Sequence, residues 1–359
     1  MAFLHYQKNL EFSMFMNLQI SLFGAAVLTG GLILLLFGYA ENWGLTDSAD
    51  SVRKKHEGQI PLIGGISIFI CLQIFELIHP SHSLALAASL FILVVAGAID
   101  DRFNMRALFK LLLQILAVCV LVFGAGIEIV SLGTLPNGSE LLLGNFSIPF
   151  TLLCAVAMIN AWNMIDGIDG LAACLGILAL IYLYFFSVVV GPPIEKPILI
   201  TMTVLVGALL GFLIFNLGVI PGRKVFLGDA GSMLIGLFLA YLLIATSQRT
   251  PLISALPASI MPWVASVPML DMAAVSIRRM LKGRSPMRAD RTHLHHRLMD
   301  IGYSARATLV LMLILSLVFF VFGSFLNSFG GVHAGIGFVG LLVFYFICVD
   351  RLFKTNAEG

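Results

Sequence analysis

Runs of about twenty apolar residues, nearly free of charge, recur along almost the whole chain, and they decide its solvent. A hydrocarbon core ~30 Å thick is crossed by about 20 helical residues. Eleven such windows can be read, near 17–40, 60–79, 83–100, 107–124, 147–163, 168–190, 197–216, 230–247, 257–277, 306–328 and 332–349. They are continuously apolar rather than alternating, which selects helices over barrel strands. Only 11% of the 359 residues are charged, against about 25% in water-soluble domains, so a soluble globule is excluded. The expected fold is an all-α polytopic integral membrane protein of about eleven transmembrane helices, forming a single catalytic domain over 1–359.

The first window is too long for the 7–15-residue core of a cleavable signal peptide, and no A-x-A-like site follows it, so it is expected to stay in the protein. The five cysteines, Cys71, Cys119, Cys154, Cys174 and Cys348, lie in apolar segments without C-x-x-C spacing and read as small buried hydrophobes. Charge gives the orientation. Eighteen of the 21 lysines and arginines fall in segments on one face of an eleven-span topology, and the other face keeps Lys8, Lys196 and Arg249. By the positive-inside rule the N-terminus is outside, the C-terminus cytoplasmic, and the basic face inside.

The polar exceptions gather on that same face. Asp100 and Asp101 end the third window, Asp166 and Asp169 join the fifth to the sixth, and Asp229 opens the eighth. Charged groups at membrane depth cost about 2.5–3.5 kcal/mol even on lenient scales, so a set of them at helix ends points to a shared polar site, although a single Asp there could be no more than a cap. In "NAWNMIDGIDGL" (160–171), Asn160, Asn163, Asp166 and Asp169 recur every third residue, which places neighbours on one helical face if the helix persists. Gly167 and Gly170 permit a tight turn or close approach to a ligand. "RKVFLGDAGS" (223–232) leads into a helix whose first amides suit an anion. "RSPMRADRTHLHHRL" (284–298) interleaves arginines with His293, His295 and His296; with no cysteine or histidine at structural-zinc spacing, it better suits oxyanions.

Carboxylates repel phosphate unless a divalent cation intervenes, and Mg²⁺ is typically held by one or two carboxylates plus substrate phosphate oxygens. Acids combined with Arg, Lys and His therefore describe a site for a magnesium-bound diphosphate, with a lipid as the other substrate. The cytoplasmic segments expected to build it are 41–59, 101–106, 164–167, 217–229 and 278–305.

"HEGQIPLIGG" (56–65), "AIDDR" (98–102), "NAWNMIDGIDGL" (160–171), "FLGDAGS" (226–232) and "HLHHRL" (293–298) together resemble the polyprenyl-phosphate N-acetylhexosamine-1-phosphate transferases, in the family's order, over about residues 41–305. The resemblance implies transfer of N-acetylglucosamine 1-phosphate from UDP-N-acetylglucosamine to undecaprenyl phosphate at the cytoplasmic face of a bacterial inner membrane, with release of UMP. It implies Mg²⁺, replaceable by Mn²⁺, as cofactor, held by Asp229 with help from Asn163. It matches Asp100 and Asp101 to an essential acidic pair, Lys110 and Arg291 to phosphate binding, and Asp166 and Asp169 to acids near the nucleotide. Phe226 and Asn216 match uracil contacts, and His293, His295 and His296 match loop histidines serving the sugar nucleotide. No nucleic-acid partner is expected, and the resemblance leaves room for a homodimer.

Within the family, MurNAc-pentapeptide transferases resemble T-P-T-M-G-G and H-H-H-x-E where this chain has "IPLIGG" and "HLHHRL", which favours the N-acetylglucosamine branch, with a UDP-N-acetylgalactosamine or MurNAc-pentapeptide donor as the alternative. A CDP-alcohol phosphotransferase would need arginine where Cys174 stands, and an intramembrane aspartyl protease would need glycine at Phe226. An ion-coupled transporter would distribute its acids along mid-membrane helices rather than collect them at one end.

Overall fold

The computed structural model describes residues 2–47, 59–78, 83–135, 137–189, 192–248, 256–285 and 292–354. Helix α1 (Ala2–Phe37) is followed by two-residue strands β1 (Thr46–Asp47) and β2 (Ile60–Pro61), then α2 (Gly64–Ile78), α3 (Leu84–Phe103) and α4 (Ala107–Ala125). A hairpin of β3 (Ser131–Thr134) and β4 (Glu140–Leu142) leads to α5 (Ser147–Ile165), α6 (Leu171–Val189), α7 (Lys196–Asn216) and α8 (Gly228–Ser247). The chain ends with α9 (Met261–Val264), α10 (Ser266–Leu281), α11 (Leu294–Asp300), α12 (Ala305–Ser328) and α13 (Gly331–Lys354).

Among the described residues, nine helices are long and apolar enough to cross a membrane, so the protein is an all-α polytopic membrane protein. Two of the eleven expected windows take another form. The second is a helix of only 15 residues, α2, about 22 Å long by its rise and short of a full hydrocarbon core. The ninth is broken: the segment through α9 and α10 bends by 81° around Ala265. Pro268 explains the place of the break, because it has no N–H to give to the carbonyl of Val264 and its ring crowds that carbonyl. The β3–β4 hairpin, in a segment expected to form an outer loop, carries no apolar window and was not anticipated.

Helix α8 is the axis of the bundle. Every residue from Ala230 to Ala240 is buried, among α2, α3, α5 and α6. Such burial on all sides requires backbones to approach closely, which small residues allow in membrane bundles. A Cβ built on Gly65 would lie 2.1 Å from the Gly231 nitrogen, and one on Gly97 would lie 2.3 Å from Ala230 Cα. The outer helices carry lipid-facing side chains instead, Ile20, Phe23 and Val27 on α1 and Ile336, Val339 and Phe344 on α13.

Candidate active site

Because successive helices alternate in direction, the C-terminal ends of α3, α5 and α7 meet the N-terminal ends of α4, α6 and α8 at one end of the bundle. There they enclose a cavity of about 620 Å³, lined by Asp47, Asp100, Asp101, Asn104, Asp166, Asp169, Asn216, Phe226 and Asp229, with Arg102 at its edge. The three acidic elements, 65 and 60 residues apart in sequence, thus share one cleft.

Beneath its floor the acids are organised around a lysine. Lys110 Nζ lies 2.8 Å from Asp100 Oδ2, 2.5 Å from Asp229 Oδ2 and 3.1 Å from Asn163 Oδ1. Asn163 in turn donates from Nδ2 to Asp229 Oδ1 at 2.8 Å and to Ser232 Oγ at 3.0 Å. The turn that lets Lys110 reach back is set by Asn104, whose left-handed φ of 55° ends α3 while its N–H donates to Asp100 O and the Met105 N–H donates to Asp100 Oδ1.

Asp101 does something the sequence did not reveal. Its carboxylate accepts from the Asp229 N–H at 2.9 Å and reaches the Ala230 N–H at 3.5 Å. The first amides of α8, which the sequence reading reserved for an anion, are therefore capped by Asp101. Capping by an acid also suits the positive end of the helix dipole. Gly228, at φ 73°, makes the approach feasible: a Cβ there would sit 2.6 Å from Asp101 Oδ2.

The helical repeat read through Asn160, Asn163, Asp166 and Asp169 does not persist, because α5 ends at Ile165 and Asp166 is its C-cap. Asp166 and Asp169 instead belong to the turn into α6, completed by Gly170 at φ 78°. Desolvation, then the charges of Asp229, Asp101 and Asp169, push Asp166 up to about 8. A cation entering the cleft would reverse the charge contribution and release that proton. Asp169 pairs with Lys224 at 2.6 Å, and Lys224 lies 5.3 Å from the Phe226 ring centre. Asn216, expected at the base, is committed to backbone: it accepts from Gly170 N at 2.6 Å and donates to Val225 O at 3.0 Å, fixing the cleft wall.

The histidines stand behind that wall. His293 caps α11, His295 is buried, and neither lines the cavity. Contact is made through Gly167, where a Cβ would fall 1.9 Å from His295 Nε2; close approach, rather than an unusual φ, requires that glycine. Arg291 and His56 lie outside the described residues. Asp47, Arg102 and Asn104 were missed by the motif reading; Asp47 reaches the cleft because β1 pairs with β2, Asp47 opposite Ile60.

The donor set bears on a metal. No group of three or more His, Cys, Asp or Glu side chains suited to one is found among the described residues. The oxygens of Asp100, Asp229 and Asn163 nevertheless converge on one ammonium. Two carboxylates and an amide oxygen are hard donors of the kind Mg²⁺ takes, so the residues fit such an ion if Lys110 withdraws.

A polytopic helical membrane protein whose cleft combines carboxylates with lysines at one membrane-facing end is built to handle phosphate esters beside lipid. The comparisons give the family. Residues 83–247 match the family model Glycosyl transferase family 4. The chain is 35% identical over 326 residues to the undecaprenyl-phosphate alpha-N-acetylglucosaminyl 1-phosphate transferase of Escherichia coli (strain K12), covering 88% of this chain and 86% of that protein. The proteins of the same name from Salmonella typhi and Haemophilus influenzae are 37% and 32% identical, with coverage of 75% and 89% of this chain and 73% and 89% of theirs. The chain belongs to glycosyl transferase family 4, as a membrane-bound polyprenyl-phosphate N-acetylhexosamine-1-phosphate transferase.

Proposed function

We propose that the protein transfers N-acetylglucosamine 1-phosphate from UDP-N-acetylglucosamine to undecaprenyl phosphate, releasing UMP and initiating a lipid-linked cell-surface polysaccharide such as an O-antigen. The observation that carries this is the Lys110–Asp100–Asp229–Asn163 constellation on the floor of a cleft at the end of a membrane bundle. Phosphoryl transfer relies mostly on positioning and charge neutralisation, and this constellation supplies both.

In this reading Asp229 and Asn163 would hold Mg²⁺ or Mn²⁺, which supplies charge neutralisation on the donor diphosphate. Asp100 aligns the lipid phosphate and, where that phosphate carries a proton, accepts it. Lys110, exchanged from its carboxylate partners, binds phosphate oxygens. Asp101 holds Asp229 in place through the start of α8. Phe226, Asp166 and Asp169 border the nucleotide, and the resemblance assigns the donor phosphates to His293, His295, His296 and Arg291.

Purified protein in detergent, given UDP-N-acetylglucosamine, UDP-N-acetylgalactosamine or UDP-MurNAc-pentapeptide with undecaprenyl phosphate and Mg²⁺, should release UMP fastest from the first. A site that hydrogen-bonds a particular hydroxyl rejects the epimer strongly. UMP release that proceeds equally well without the lipid would make the protein a hydrolase. Reaction with the pentapeptide donor alone would leave the chemistry intact but move the chain to the other branch.

We place the site in the cytoplasm of a bacterium, at its inner membrane, in an eleven-span arrangement with the N-terminus outside, counting α2 and the bent α9–α10 segment as spans. The 18-to-3 division of lysine and arginine supports this. Reporter fusions after α3, α5, α7 and α10 should register as cytoplasmic and one within 126–143 as external. An external signal from a fusion at Ser285 would invert the topology.

A further inference from the structure

Asp271, on α10, is 2% exposed, and nine residues of helix separate it from Leu281. A carboxylate so far inside an apolar bundle is costly unless its oxygens are fully hydrogen-bonded. They are. Oδ2 lies 2.7 Å from His293 Nδ1, while Oδ1 accepts from the Leu294 N–H at 3.0 Å and the Tyr345 hydroxyl at 3.0 Å. One side chain thus ties together α10, the first turn of α11 and α13.

The connection continues toward the cleft. The His293 and His295 rings stack with centres 5.9 Å apart and planes 13° apart, and His295 meets His296 at 4.2 Å. His295 closes against Gly167, which lines the cavity beside Asp166. Asp271 touches none of the cleft residues itself, so whatever it does there passes through the histidines.

We propose that Asp271, braced by Tyr345, is a positioning residue for donor binding: it holds the His293 ring in one orientation with the proton on Nδ1, so that the histidine segment is set in one place for the nucleotide sugar. This rests on the reading of the histidines as donor contacts given above. An ionised carboxylate only accepts, so the proton must sit on Nδ1, and Nε2 is left as the second functional atom of the ring. Holding the Leu294 amide and the Tyr345 hydroxyl would require only a neutral acceptor such as asparagine. The contact to His293 is the part that uses the negative charge.

The charged and titratable groups around the pair on the described elements are Arg278 on α10, His295, His296 and Arg297 on α11, and Tyr345 on α13. Arg297 is held by the carbonyls of Thr292 and Val349, and Arg278 lies over the Phe346 ring at 5.4 Å.

The test is steady-state transfer in detergent with the full chain, UDP-N-acetylglucosamine and undecaprenyl phosphate. In Asp271→Asn the amide keeps its oxygen toward Leu294 and Tyr345 and turns its NH₂ toward His293, opposing the Nδ1 proton. The KM for the nucleotide sugar should rise about tenfold with kcat little changed. Placed on a His293→Asn background, the same substitution should add nothing. Tyr345→Phe gives a second measurement should Asp271→Asn fold poorly: with the brace from α13 removed, the donor KM should rise by a smaller factor while kcat is kept. Unchanged donor KM in both variants would overturn the proposal, and so would an Asp271→Asn loss of equal size with His293 already replaced. If His293→Asn alone leaves the donor KM unaltered, the reading of the histidines fails; if His293→Asn is impaired while Asp271→Asn is silent, only the positioning role fails.

Discussion

Asp229→Asn should lower kcat for transfer by about a thousandfold or more while the purified protein keeps its helical content and melting behaviour. Losses of about 10²–10³ follow removal of one group that stabilises developing charge, and Asp229 combines a proposed metal ligand with the partner of Lys110. The fold should survive because asparagine preserves the shape, the Asp229 N–H remains bonded to Asp101, and Lys110 retains Asp100 at 2.8 Å. Neutralising one acid in a cleft that also holds Asp100, Asp101 and Asp166 removes repulsion as well as attraction. The wild-type protein should be inactive in excess chelator and recover with Mg²⁺ or Mn²⁺. Mn²⁺ binding followed by electron paramagnetic resonance should weaken in the variant. Full turnover in chelator, or an Asp229→Asn protein with wild-type kcat, would sink the metal reading.

The helical class and most helix limits were legible because a bilayer-spanning segment must be continuously apolar, a property of local sequence. What failed had causes outside the window. The bend at Ala265 comes from Pro268 acting on the turn before it, inside a run as apolar as its neighbours. The cleft acids could be found from their motifs, since an aspartate beside glycine at the end of an apolar run is conspicuous. Their division of labour could not. Nothing local to "AIDDR" says that Asp100 faces Lys110 while Asp101 caps a helix 128 residues away. Asp271 was passed over for the same reason: a single acid in "VPMLDMAAV" acquires meaning only when α11 and α13 close over it. Gly167 was recognised as special, for a tight turn or the close approach of a ligand, and the group that approaches it is His295.

Close packing and chemistry meet most directly at Gly97, and Gly97→Ala should cost about a hundredfold in kcat/KM although no reacting group is altered. The added methyl would lie 2.3 Å from Ala230 N and Cα and 2.6 Å from the Asp229 carbonyl carbon. These are backbone atoms in the first turn of α8, so no rotamer change can relieve the overlap, and α3 and α8 must separate. That separation acts where Asp101, on α3, holds the Asp229 N–H, and where Asp100 and Asp229, one on each helix, share Lys110. Displacements of about 1 Å in a positioned site cost on the order of 10² in rate. Most of the α3–α8 interface lies deeper in the bundle, so the protein should still insert and purify, with a lowered melting temperature. Gly31→Ala is the control, since a Cβ there meets nothing within 4 Å and its helix position on α1 faces outward. Equal activity in the two variants would show that the acidic cluster tolerates movement of α8. A large loss in Gly97→Ala beside an unaffected Gly31→Ala would show that a glycine contact on one helix sets the geometry of an aspartate on another.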